Sequence, residues 1–115
     1  MKLTQTYIID PDGNFYRLKT NVESLELFAK VEGFYGLYPY QIIEKITEIN
    51  FPVFIWACII LAYQNEKKEI PRWQYISDWF WKNVRESKKL REQFLKELSE
   101  KYKAPDEDLL KSTIR

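Results

Sequence analysis

Residues 51–63 form an unbroken apolar run whose only punctuation is Pro52. Laid out at ~100° per residue, the run turns an apolar side chain in every direction, the mark of a helix with neighbours all round it. It is too short to cross a membrane, which takes ~20 apolar residues in succession. The pattern therefore predicts a central core helix over 52–64, with Trp56 and Ile60 as structural residues, and the rest of the chain must supply the surrounding walls. At 115 residues, 45% hydrophobic and 30% charged, the chain is sized for a single domain, 1–104, followed by a C-terminal tail, 105–115.

Upstream, residues 3–9 and 15–19 are rich in β-branched and aromatic types and flank Asp10-Pro11-Asp12-Gly13-Asn14. Proline presets the first turn dihedral, Asp10 can accept hydrogen bonds from the turn backbone, and Gly13 supplies the positive φ of a type I turn plus bulge. This reads as an N-terminal β-hairpin, 3–19, with Leu3, Tyr7 and Ile9 on one face. A lone hairpin is marginal in water, so that face must lean on helices.

The tetrad Thr20-Asn21-Val22-Glu23 reads as a capping box closed by Thr20 and Glu23. It opens a helix to about 32, with Leu25, Phe28 and Ala29 as the buried stripe and Gly33 as the C-terminal cap. A second helix is expected from Pro39 to about 49, with Ile42, Ile43, Ile46 and Ile49 inward. After the core helix, the charged stretch 66–69 leads to Ile70-Pro71, where a fourth helix begins. Its residues Trp73, Tyr75, Ile76, Trp79, Phe80, Trp81 and Val84 span an arc of about 240°, against the ~100° a surface helix normally buries. A last helix, 88–102, puts Leu90, Phe94, Leu95, Leu98 and Tyr102 on one side, and either continues the fourth helix or bends away from it. The fold class is mainly α: a small helical domain of four to five helices, its helical part 20–104, with an N-terminal β-hairpin.

Charge names no partner. There are 18 Lys plus Arg against 17 Asp plus Glu, a net charge of +1, so no long-range field draws the chain to phosphate or anionic lipid. The absence of histidine removes the usual acid–base group and the commonest metal ligand. The single cysteine, Cys58, lies inside the apolar run and reads as a small buried hydrophobe, not a nucleophile. An unpaired cysteine and an N-terminus without a signal pattern point to a reducing, cytoplasmic setting. Asp10 and Asp12 are turn formers without the further ligands of a calcium loop. The triplet Asp106-Glu107-Asp108 is adjacent in sequence and does not converge as a metal site would. Gly13, Gly33 and Gly36 fit no nucleotide fingerprint. The stretch Lys82, Arg85, Lys88, Lys89 and Arg91, interleaved with Glu86 and Glu92, reads as a solvated face, so nucleic acid is not the expected partner. Carboxylates such as Glu44 and Glu48 cannot be placed as a paired acid and base. No catalytic residue, cofactor, metal or membrane contact is assigned.

What stands out is aromatic surface. Four Trp, eight Tyr and seven Phe exceed what a domain of this size hides, and exposed Trp and Tyr are favoured interface anchors because they bury large rigid areas at small entropic cost. Phe34, Tyr35, Tyr38 and Tyr40 in the loop after the first helix, with Tyr75 and Trp79 off the main stripe of the fourth, are the candidate partner-binding residues.

The order of elements resembles the tail assembly chaperones of long-tailed bacteriophages. The residues that carry this are Phe15-Tyr16-Arg17-Leu18 before the first helix, Leu25 and Phe28 leading to Glu32-Gly33, Ile55-Trp56-Ala57-Cys58 in the central helix, and Ile70-Pro71-Arg72-Trp73 opening the next. The match spans about 7–85 and leaves the C-terminal third without support. It implies a non-catalytic, mainly helical viral protein in the host cytoplasm, a homo-oligomer that coats a hydrophobic tape measure protein until tail-tube subunits replace it. The alternative class is a small phage- or plasmid-encoded inhibitor or adaptor that binds one host protein through a single aromatic patch.

Overall fold

A computed structural model describes residues 1–104; the expected tail, 105–115, lies outside the described residues. The N-terminal segment forms a three-stranded antiparallel sheet, β1 (Lys2–Leu3), β2 (Tyr7–Ile9) and β3 (Phe15–Arg17), in the order β1-β2-β3. Five helices follow: α1 (Val22–Glu32), α2 (Pro39–Glu44), α3 (Phe51–Ala62), α4 (Trp73–Trp81) and α5 (Val84–Lys101).

The expected hairpin is present, with an extra reversal inside its first arm. Thr4 folds the chain back on itself: its N–H donates to the Tyr7 carbonyl at 2.9 Å, and its hydroxyl accepts from the Thr6 and Tyr7 amides. That turn resets the alternation of side chains. Leu3 pairs with Ile8, and these two, not Leu3 with Tyr7 and Ile9, are the buried pair of the sheet. The second turn matches its sequence. The Asp10 carboxylate accepts from the amides of Asp12 (2.9 Å) and Asn14 (2.8 Å), and Gly13 sits at φ 86°.

The cap of α1 is shifted by one residue from expectation. Asn21 is the N-cap and its side chain accepts from the Ser24 amide, while the Ser24 hydroxyl accepts from the Asn21 amide. Thr20 is not free to cap, because its hydroxyl donates to the Gln5 carbonyl at 2.6 Å and ties the helix entry to the sheet. Gly33 closes α1 in the left-handed conformation, φ 80°, as its position required.

The second helix is shorter than expected. After Glu44 the chain leaves helical register, and Thr47 and Asn50 bond each other's backbone amides while the Asn50 amide group donates to the Lys45 carbonyl. Ile42, Ile43 and Ile46 are buried, but Ile49, beyond the break, is 81% exposed instead of facing inward.

α3 is the centre of the molecule. Its residues Phe51 to Ile55 and Ala57 to Ile59 are buried, and Lys19 donates its backbone N–H to the Cys58 carbonyl at 3.0 Å, joining the sheet's exit to the core helix. Trp56 and Ile60, four residues apart on one side of the helix, are only half-buried, as are Leu61 and Ala62 at its end, a correction to the expected place of Trp56 and Ile60 at the centre. A chain of edge-to-face phenylalanines binds four helices together. Phe28 of α1 meets Phe54 at 5.8 Å, Phe54 meets Phe94 of α5 at 6.1 Å, Phe94 meets Phe51 at 5.7 Å, and Phe51 meets Phe80 of α4 at 5.3 Å. Edge-to-face pairs add about 0.5–1.5 kcal/mol each beyond the area they bury.

Pro71 precedes α4 by two residues and Arg72 is its N-cap in extended conformation, so the proline lies in the connecting segment and does not enter the helix. α4 and α5 are separate helices, broken at Lys82 and Asn83. α5 buries Phe94 and Leu98, with Leu90, Leu95 and Tyr102 half-buried along the expected side, and it accepts a bond from the Gln5 side chain at the Phe94 carbonyl, 3.0 Å.

Candidate functional site

The loop between α1 and α2 is held from below. The Phe34 amide donates to the Ala29 carbonyl at 2.8 Å and its ring leans on Phe28 at 6.3 Å, which makes Phe34 a half-buried plug. With the plug in place, Tyr35 is 75% exposed and shares a shallow hollow with Phe34, Gly36 and Leu37. Tyr38 is also exposed and its ring stacks on half-buried Tyr40, 6.1 Å apart and nearly parallel. Gln41 reaches back to the Tyr38 amide at 2.9 Å and fixes the start of α2 beneath the pair.

On α4 the two candidates part company. Tyr75 is 60% exposed and lines a second hollow with Tyr16, Lys67, Lys68, Glu69 and Arg72. Trp79 is 8% exposed, stacked on Tyr16 of β3 with ring centroids 6.0 Å apart. Its expected role as an exposed anchor is corrected: the sheet covers it. Lys68 also contacts Tyr16: its Nζ stands 5.3 Å from the centroids of both the Tyr16 and Tyr63 rings. Burial, then the nearby Asp10 carboxylate, pushes the Tyr16 phenol above its ordinary value. Sequence reasoning missed Trp73 and Trp81, both exposed; the 240° arc contained them, and at ~100° per residue they stand about 80° apart on α4, each more than about 100° round the helix from Tyr75.

A third feature had no signal in the sequence. The end of α4 and the start of α5 enclose, with the head of α3, a small cleft of about 30 Å³ lined by Phe51, Pro52, Phe80, Trp81, Val84 and Ser87, with Glu48, Lys88 and Arg91 at its rim. Such a volume admits one or two waters or the tip of a side chain, far from the ~300 Å³ or more of an organic ligand site. Ser87 is 5% exposed, and its hydroxyl is the buried side-chain oxygen that finds no hydrogen-bond partner among the described residues. Arg91 stands 3.8 Å from Glu48.

Cys58 is fully enclosed and burial pushes its thiol up to about 12, so it holds its proton and serves packing. Among the described residues, no cluster of three or more His, Cys, Asp or Glu side chains is placed to hold a metal ion, and no helix is long and apolar enough to cross a membrane. Glu44 and Glu48, the carboxylates considered for acid–base work, are both exposed and line different hollows. No protein-family model, curated protein or solved structure matches this chain.

Proposed function

We propose that this chain is a non-catalytic, cytoplasmic protein-binding protein that self-associates, working in the manner of the phage tail assembly chaperones its element order resembles. The observation that carries the reading is the presence of two aromatic surfaces on different elements, Tyr35 with its exposed neighbour Tyr38 on the α1–α2 loop and Tyr75 on α4, with Tyr35 and Tyr75 lining different hollows. The phenylalanine chain closes the core without them, so their rings are free for contact with another molecule. Covering one such ring gains about 1.5–3 kcal/mol. Two different surfaces on one subunit favour head-to-tail association, which stays open and follows a long partner; a closed dimer or a one-patch inhibitor needs a single surface. A coat of this kind would hold a tape measure protein in solution and yield to tail-tube subunits, because aromatic contacts without fixed ion pairs are readily exchanged.

The test is a triple substitution, Tyr35→Ser, Tyr38→Ser and Tyr75→Ser, followed by sedimentation velocity. The expected result is loss of assemblies larger than the monomer with a melting temperature unchanged within a few degrees. Assemblies that persist undiminished would overturn the reading.

A further inference from the structure

The segment between α3 and α4 is backbone without a partner. Among the described residues, no backbone hydrogen bond reaches the N–H or C=O of any residue from Lys67 to Pro71. Pro71 favours an extended Ile70, and Arg72 is extended at φ −69° and ψ 151°. This segment borders an open hollow of about 870 Å³, lined also by Tyr16, itself stacked on Trp79, and by exposed Tyr75. Lys67, Lys68 and Arg72 line it against one carboxylate, Glu69, and none of the three cations forms a salt bridge among the described residues. The acids next to the hollow are already committed: Glu66 pairs with Arg17, and the Asp10 carboxylate accepts from its own turn.

The groups this hollow offers decide what it takes. Four charged side chains in its wall set it apart from the mostly apolar pockets that hold small organic ligands. The backbone of a DNA strand carries phosphate oxygens for the cations, but it brings no donor to the unpaired carbonyls of residues 67–70 and meets Glu69 as a like charge. An extended polypeptide brings both N–H and C=O groups at the spacing of the segment, and it sends alternate side chains to the same face. Carboxylates on that face match the local excess of positive charge. We propose that the hollow binds an extended, acidic segment of a partner protein, which pairs its backbone with residues 67–70, sets carboxylates on Lys67 and Arg72, and covers the Tyr75 ring. This deepens the reading of the Tyr75 surface as a contact site, and rests on it, by naming the chemistry of what that surface takes.

The experiment titrates the full chain, by fluorescence anisotropy, against an eight-residue peptide of alternating Glu and Val, its counterparts with Gln or Lys in place of Glu, and a thymidine oligonucleotide of the same length. The protein is either wild type or carries Lys67→Glu with Arg72→Glu, two exposed positions whose exchange should leave the melting temperature unchanged within a few degrees. Wild type should bind the Glu peptide about tenfold more tightly than the Gln peptide, the scale of one charge-assisted hydrogen bond. The charge-reversed protein should lose at least that factor for the Glu peptide and prefer the Lys peptide. Methylating alternate amide nitrogens of the Glu peptide should weaken binding in one register and spare it in the other, because only one edge of a strand pairs. Equal binding of the Glu and Gln peptides, equal effects of the two methylation registers, or tighter binding of the oligonucleotide would each overturn the inference. If the Glu peptide does not bind while the tyrosine substitutions dissolve the assemblies, the inference fails and the reading of the aromatic surfaces stands without it.

Discussion

Trp79 lies flat against Tyr16, ring centroids 6.0 Å apart and planes 21° from parallel, and this one contact fastens α4 to the sheet. It turns a residue with the helical position of a surface anchor into part of the core. Trp79→Ala should therefore cost about 3–5 kcal/mol of stability, the range for large buried aromatics, measured by urea denaturation. Tyr75→Ala, four residues earlier on the same helix, should change stability by less than about 0.5 kcal/mol and weaken association. Equal melting shifts for the two would contradict the division.

Within α3 the same contrast applies. Phe54 touches both Phe28 and Phe94, so Phe54→Ala opens a cavity between three helices and should cost about 3–5 kcal/mol. Ile60, which is only half-buried, should cost under about 2 kcal/mol when truncated to alanine. Thermal or chemical melts of the two variants in parallel read the difference directly.

At the start of α1, Asn21→Ala removes the acceptor for the Ser24 amide and should destabilise by about 1 kcal/mol. Glu23→Ala, at the position a Thr20 cap would have required, loses only an exposed pair with Lys19 and should stay within about 0.5 kcal/mol.

The Cys58 thiol gives the fold a pH dependence of known sign. Its folded value lies near 12, above that of an exposed cysteine, because burial disfavours the thiolate. The unfolded chain therefore releases this proton first, and the stability the protonated thiol contributes is complete below the exposed thiol's range near 8.5 and declines above it, by about 1.4 kcal/mol per pH unit, until the folded value is reached. Denaturation at pH 8 and pH 10 should show wild type losing more than Cys58→Ala loses over the same interval. Identical losses would mean the thiol is not enclosed.

Much of the fold was legible because local chemistry dictated it. Asp10 and Gly13 specified their turn, Gly33 its left-handed cap, and the all-round apolar run of 51–63 the central helix. The departures are places where a distant contact outweighed a local preference. Thr20 suits a cap, but the Gln5 carbonyl claims its hydroxyl and Asn21 takes the role. Ile49 continues the helical spacing of Ile42 and Ile46, yet the Thr47–Asn50 turn breaks the helix first. The candidate site divided along the same line. Tyr35, Tyr38 and Tyr75 are exposed as their positions implied, whereas Trp79 is covered by a strand more than sixty residues earlier in the chain, a pairing that periodicity within one helix does not contain. The Ser87 cleft assembles from three helices, and no sequence spacing encodes it.

The central claim is that these subunits meet one another through surface the core leaves uncovered. Light scattering of the full chain across a hundredfold range of concentration measures this without any substitution. The account predicts a mass that climbs with concentration past the dimer, from a monomer of 14.0 kDa. A mass that stays at the monomer value across the whole range would contradict it.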